Sequence, residues 1–136
     1  MGLWFFHLII LLLIPATMIG FGLLWKKHPP KDINAVYGYR TSRSCKSQET
    51  WNFAHQAIGR LWRRWGLVLL AALPAFLLAA LARQGWNPAC FLDEPADADA
   101  WLLLVLVGVQ LAVIIGSIFP VERALKTHFD SFGRPR

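Results

Sequence analysis

Three apolar runs constrain what this chain can fold into more than any other feature of its sequence. They cover residues 3–25, 65–82 and 101–119, and His7 is the only ionisable side chain within them. About 20 apolar residues in a helix cross a hydrocarbon core of about 30 Å. A chain with 56% hydrophobic residues in such blocks is predicted to be a single all-α integral membrane domain with three transmembrane helices.

The charges between the runs predict the orientation. The loop 26–64 carries nine basic and two acidic side chains, and the loop 83–100 carries one basic and four acidic ones. The tail 120–136 has four basic and two acidic side chains. By the positive-inside rule, the first loop and the tail are cytoplasmic, whereas the N-terminus and the acidic loop are outside. The net charge of +6 is thus largely topological, and no nucleic-acid partner is expected.

The cytoplasmic loop divides into a turn-rich segment and a helix. Ser47 is predicted to cap the helix, with Glu49 in its first turn. One face then carries Trp51, Ala54, Ile58, Leu61, Trp62 and Trp65 at helical spacing, and the other carries Asn52, Gln56, Arg60, Arg63 and Arg64. This pattern predicts an interfacial amphipathic helix whose Arg60, Arg63 and Arg64 contact lipid phosphates. Both a bend at Gly66 and a continuous helix into the second span are compatible with it.

The loop also carries a motif. Its elements are Asn34, Gly38-Tyr39-Arg40-Thr41, Ser44, Gln48-Glu49-Thr50-Trp51 and Ala54-His55. Between two spans, this Asn-x3-Gly-Tyr-Arg-Thr pattern resembles the signature loop of the SdpI family of small bacterial membrane proteins, over about residues 30–66. Family members often have a proline after the Arg-Thr pair, where this chain has Ser42.

The resemblance implies a multi-pass protein of the bacterial cytoplasmic (inner) membrane with a role in immunity or signal transduction. A longer family member protects against a secreted peptide toxin and holds a transcriptional repressor at the membrane, so the implied partners are a peptide toxin or a soluble transcriptional regulator. The implied recognition loop consists of Asn34, Gly38, Tyr39, Arg40, Thr41, Ser44, Glu49, Trp51 and His55.

The chemistry of these residues leaves alternatives open. Arg40 can offer a bidentate fork to a carboxylate or phosphate, or it can tie the loop to Glu49 or to carbonyls at a helix end. Trp51 is predicted to be a packing or interfacial anchor. His55 is interpreted as a polar residue on the wet side of the helix rather than a proton-transfer group or pH sensor.

The sequence has no nucleophile with a base, no carboxylate pair, no metal-ligand spacing and no phosphate-binding glycine motif. We therefore expect no enzyme activity, no cofactor and no metal. The leading hypothesis is a non-catalytic protein that uses the loop for recognition. The alternative is a membrane enzyme or lipid-binding protein that uses the arginine-rich loop on anionic lipid headgroups.

Small residues recur every four positions in two spans, at Ala71, Ala75 and Ala79 and at Gly108, Ala112 and Gly116. Such stripes let helices approach closely, so they predict packing faces and a homo-oligomer.

The topology can be tested with Cys45 and Cys90, which the charge pattern places on opposite sides of the membrane. A thiol reagent that does not cross membranes should label Cys90 and not Cys45 in intact spheroplasts. Labelling of Cys45 without labelling of Cys90 would show that the topology is the reverse of the predicted one.

Overall fold

The computed structural model describes residues 2–87 and 97–136, which contain four α-helices. Helix α1 spans Gly2–Lys27, α2 spans Gln48–Arg83, α3 spans Asp97–Gly116 and α4 spans Ile118–His128. Three segments are long and apolar enough to cross a membrane, namely Phe5–Lys27, Gln48–Arg83 and Ala100–His128. The predicted all-helical architecture with three spans is confirmed at this level. Cys90, Asp93 and Glu94 lie outside the described residues, and the orientation stays a prediction.

Helix α2 joins the predicted amphipathic helix and the second span without a break. It begins where predicted, because Ser47 Oγ accepts the Thr50 N–H at 3.1 Å while Thr50 Oγ1 accepts the Ser47 N–H at 3.0 Å. Its 36 residues are about 54 Å long, which exceeds the hydrocarbon core of about 30 Å. Of the two alternatives at Gly66, the structure has the continuous helix.

Helices α1 and α2 run antiparallel with their backbones in contact. A Cβ atom added to Gly22 would lie 2.7 Å from the Gly59 carbonyl oxygen and 2.8 Å from the Arg63 amide nitrogen. One added to Gly66 would lie 2.8 Å from Ile19 Cγ1. The absence of side chains at these glycines therefore allows the close approach and sets the register of the two helices.

The predicted small-residue stripes do not form this contact. Gly108 and Gly116 have open space where a side chain would stand. Ala71, Ala75 and Ala79 are exposed on the surface of the chain. Their use in a homo-oligomer therefore remains a prediction, and the packing within the described chain depends on other glycines.

A proline and a glutamine connect α1 to α3. Pro15 has no N–H, so the carbonyl of Leu11 loses the donor it would have in a regular helix. Gln110 Nε2 in α3 donates to that carbonyl oxygen at 3.0 Å. Both residues are buried, and a hydrogen bond between membrane helices contributes about 0.6–1.7 kcal/mol. The bond is surrounded by an apolar cluster that contains Leu11, Leu73, Phe76, Ala80 and Leu103.

The tail after the third span is a folded element. The chain turns at Ser117, whose Oγ accepts a hydrogen bond from Trp62 Nε1 at 2.8 Å. Helix α4 then buries Val121 and Leu125 in a cluster with residues of α1, α2 and the loop. The last residues fold back, so that the Gly133 carbonyl accepts a hydrogen bond from Ser47 Oγ at 2.7 Å. The tail thus packs on the start of α2.

The glycine contact predicts a position-specific effect of one methyl group. Gly22→Ala should lower the free energy of unfolding in detergent by about 1–3 kcal/mol. The new Cβ would clash with backbone atoms of α2, which cannot move away by a change of rotamer. Gly20→Ala is the matched control, since nothing lies within 4 Å of its added Cβ. Equal melting temperatures for the two variants would contradict the backbone contact.

Candidate functional site

Beyond the end of α1, the loop 28–47, the first half of α2 and α4 pack into one assembly, which we call the cap. Its buried core contains Trp25, Tyr39, Ala54, Ile58, Val121, Leu125 and Phe129. The loop has no helix or strand within it, and side-chain hydrogen bonds replace the missing backbone pairing. Most residues of the predicted recognition loop belong to this framework.

His55 lies at the centre of the cap and is fully buried. Its Nε2 accepts the backbone N–H of Tyr39 at 2.9 Å, and its Nδ1 lies 2.8 Å from the Trp51 carbonyl oxygen. Since Nε2 is an acceptor and a carbonyl can only accept, the ring is neutral with its hydrogen on Nδ1. The interpretation of His55 as a residue on the wet side of the helix was wrong, because the loop folds over that side.

Gly38 allows the loop to lie on the imidazole ring. Its φ of +121° is a conformation that side chains disfavour, and an added Cβ would lie 2.5 Å from His55 Nε2. The glycine is therefore required by a close approach of backbone to ring.

Trp51 anchors the start of the loop. Its side chain is fully buried, its ring centroid lies 4.3 Å from that of His55, and its Nε1 donates to the Pro30 carbonyl at 2.9 Å. The packing role predicted for Trp51 is the one it has in the structure. The same bond satisfies an indole N–H that would otherwise be buried without a partner.

Tyr39 connects the loop to α4. Its hydroxyl donates to Glu122 Oε1 at 3.1 Å, and the other oxygen of that carboxylate lies 3.6 Å from Arg43 Nε. Burial and the adjacent Glu122 carboxylate raise the pKa of the Tyr39 hydroxyl well above its ordinary value, so it remains a donor. No sequence pattern pointed to Glu122, because it is 83 positions from Tyr39.

Three polar residues of the motif shape the turns. Asn34 Oδ1 accepts the N–H groups of Val36 and Tyr37 at 2.9 and 3.0 Å. Ser44 Oγ accepts the Thr41 N–H at 2.8 Å, and Thr41 Oγ1 accepts the Ser44 N–H at 3.2 Å. Their oxygens are thus engaged with the loop's own backbone.

Arg40 is exposed, unlike most of the motif. Its Nη1 donates to the Ala35 carbonyl at 2.8 Å, and its guanidinium forms no ion pair with Glu49 or any other described residue. The bond holds the charge beside two exposed apolar residues, Val36 at 87% and Tyr37 at 50% exposure. We call Val36, Tyr37 and Arg40 the loop surface. Glu49 is also exposed, in the first turn of α2.

The three arginines predicted to contact lipid phosphates, Arg60, Arg63 and Arg64, do not all line one cleft. Arg60 and Arg63 line a cleft beside the end of α1, and Arg60 also lines, with Arg64, a second cleft that faces Pro120 and Val121. Among the described residues, no three His, Cys, Asp or Glu side chains are grouped so that they could hold a metal ion.

Comparison with known proteins finds a match to a protein family. The sequence model of the SdpI/YfhL protein family matches residues 31–121. One relative, described as uncharacterized protein YfhL of Bacillus subtilis (strain 168), is 50% identical over 54 residues. That match covers 40% of this chain and 49% of the relative, so it spans about half of the relative's length. No solved structure matches the chain significantly.

The contact between Gly38 and His55 predicts that a methyl group at residue 38 disrupts the cap. Gly38→Ala should cost about 1–3 kcal/mol through the backbone conformation and about 1–3 kcal/mol more by displacing the ring. Gly85→Ala is the control, because Gly85 also has a positive φ of 66° but open space around it. Thermal unfolding in detergent measures both variants. A loss no larger for Gly38→Ala than for Gly85→Ala would show that the ring contact contributes nothing.

Proposed function

Because the chain belongs to the SdpI/YfhL protein family, we propose that it is a non-catalytic protein of the bacterial cytoplasmic membrane that acts in immunity or signal transduction. The recognition element is the loop surface of the cap. The observation that carries this proposal is the division of the motif into a buried framework and an exposed remainder. Gly38, Tyr39, Trp51 and His55 build the framework, and Arg40 is left on the surface beside Val36 and Tyr37.

The framework supports recognition by fixing the loop in advance. Arg40 follows Tyr39, whose N–H is bonded to His55, and precedes Thr41, whose N–H is bonded to Ser44. A loop that is already ordered loses less conformational entropy when a partner binds. Functional side chains are often carried in this way, on loops that a rigid scaffold positions.

The composition of the loop surface favours a protein partner. Arginine and tyrosine are enriched among the residues that dominate binding at protein interfaces. The exposed Val36 gives an apolar contact next to the charge, and the guanidinium has donors left for a carboxylate. With the predicted orientation, this surface faces the cytoplasm. A soluble transcriptional regulator that presents a carboxylate beside an apolar side chain fits it better than a secreted toxin.

The same geometry argues against the enzyme alternative. A reaction at a lipid phosphate would use Arg40 with His55 as its proton-transfer group. Both nitrogens of His55 are engaged and its ring is fully buried, so it offers no free position to a substrate.

We also propose that residues 60–65 of α2 lie at the cytoplasmic lipid–water interface, beyond which the start of α2 is packed in the cap. Arg63 lies against Gly22, about one helical turn before the apolar run of α1 ends at Trp25. Arginine side chains at this height can reach the phosphate layer, and the partly exposed Trp65 is typical of an interfacial residue.

The loop surface can be tested with a photo-crosslinker in place of Val36 in native membranes. We expect it to capture a soluble regulator. Arg40→Ala should reduce that capture at least about tenfold, or about 1.4 kcal/mol, and Arg40→Lys should not restore it, because lysine lacks the planar fork.

Arg123→Ala is the matched control, since Arg123 is an exposed cation of α4, a helix that contributes no residue to the loop surface. Its capture should equal that of the wild-type chain. Membrane abundance is measured in the same cells. If abundance falls in proportion to capture in the Arg40 variants, Arg40 only braces the loop and the proposal fails.

A further inference from the structure

A cleft of about 230 Å³ lies between the end of α1 and the arginine face of α2. Lys26 lines it from α1, and Arg60 and Arg63 line it from α2. No acidic residue lines it, and the described part of the chain contains one ion pair, between Arg43 and Glu122. Three positive charges thus converge without compensation within the described chain, which favours the binding of an anion.

The polar groups of the cleft are mainly hydrogen-bond donors. Lysine and arginine have donors and no acceptor, and the Gln56 side chain adds an amide. Trp25 also lines the cleft. It is only 5% exposed, and its buried Nε1 has no hydrogen-bond partner among the described residues. A buried donor without an acceptor is unusual in a folded protein.

The glycine contact gives the cleft its place and its floor. Gly22 and Gly59 line it, so the backbone contact between α1 and α2 forms its floor. Gly22 and Lys26 belong to the last two turns of α1, where the first span ends and the phosphates of a bilayer leaflet lie. This placement at the end of a span does not depend on the orientation of the chain.

We propose that the cleft binds the phosphate of an anionic phospholipid headgroup. The volume is below the roughly 300–1,000 Å³ of pockets that enclose drug-sized ligands, which agrees with a headgroup phosphate whose acyl chains stay in the bilayer. Arginine supplies a bidentate fork to phosphate, and lysine supplies a point charge. The site is separate from the loop surface, so it does not depend on the function proposed above.

The test uses the full chain in nanodiscs of phosphatidylcholine, with phosphatidylglycerol added in steps and bound lipid measured by native mass spectrometry. We expect the wild-type chain to retain phosphatidylglycerol at least about tenfold better than phosphatidylcholine. The Arg60→Gln/Arg63→Gln variant should lose this preference. The control Arg123→Gln/Lys126→Gln removes the same charge from exposed positions of α4, outside the cleft, and should stay within about twofold of the wild-type chain.

Gln56→Glu keeps every arginine and introduces a negative charge at an exposed position of the cleft wall, so it tests the site if the double variant fails to fold. It should also abolish the preference. Equal losses in the cleft and control double variants would show a general charge effect and overturn the site. No preference in the wild-type chain would overturn it as well.

A further experiment distinguishes a phospholipid from free phosphate as the ligand of the cleft. Millimolar inorganic phosphate should neither displace phosphatidylglycerol nor bind to the chain in phosphatidylcholine nanodiscs, because the lipid is held at the interface by its acyl chains. Displacement by inorganic phosphate, lost in Arg60→Gln/Arg63→Gln, would overturn the assignment to a lipid and identify the site as one for soluble phosphate.

Discussion

The backbone contact between α1 and α2 is the constraint on which the rest of the structure depends. Because Gly22 and Gly66 have no side chains, the helices meet in a single register. That register brings the last apolar residue of α1, Trp25, to a ring-centroid distance of 5.3 Å from His55. It also leaves the start of α2 beyond the end of α1, as a surface on which the loop and α4 can pack. A shift of one helix along the other would separate Trp25 from His55 and Trp62, its ring partners in α2.

His55 connects the packed helices α1 and α2 to the loop. Its ring packs between Trp25 and Trp51, and its Nε2 binds the backbone of the loop at Tyr39. Tyr39 in turn binds Glu122 in α4. One imidazole therefore contacts α1, α2 and the loop, and is one hydrogen bond removed from the tail. A loop of this length without secondary structure is uncommon in a compact fold, and here side-chain hydrogen bonds at both ends of the Gly38–Ser44 segment hold it in place.

The sequence correctly predicted the features that depend on residues close together along the chain. The three spans follow from apolar length, and the start of α2 follows from the capping preference of Ser47 with Glu49 in the first turn. The burial of His55 and the roles of Gln110 and Glu122 depend on residues brought together from distant parts of the chain, so no local pattern reported them. The glycine contact had a partial signal, because Gly59 and Gly66 are seven residues apart and share a face of α2. The alanine and glycine stripes of the other spans are equally periodic, and periodicity alone does not say which stripe has a partner.

Trp25 lies under the loop and also lines the cleft, and this limits which variants can distinguish the two proposed sites. Its ring packs against His55 under the loop, while its side chain also lines the cleft at the end of α1. A change at Trp25 would disturb the order of the loop and the shape of the cleft together, so a loss of function there would not identify the site responsible. Arg40 is exposed, and Arg60 and Arg63 lie at the cleft, with no part in the buried cluster of the cap. Substitutions at these charges alter one surface at a time, because charged side chains at a rim affect binding more than they affect the packing beneath them.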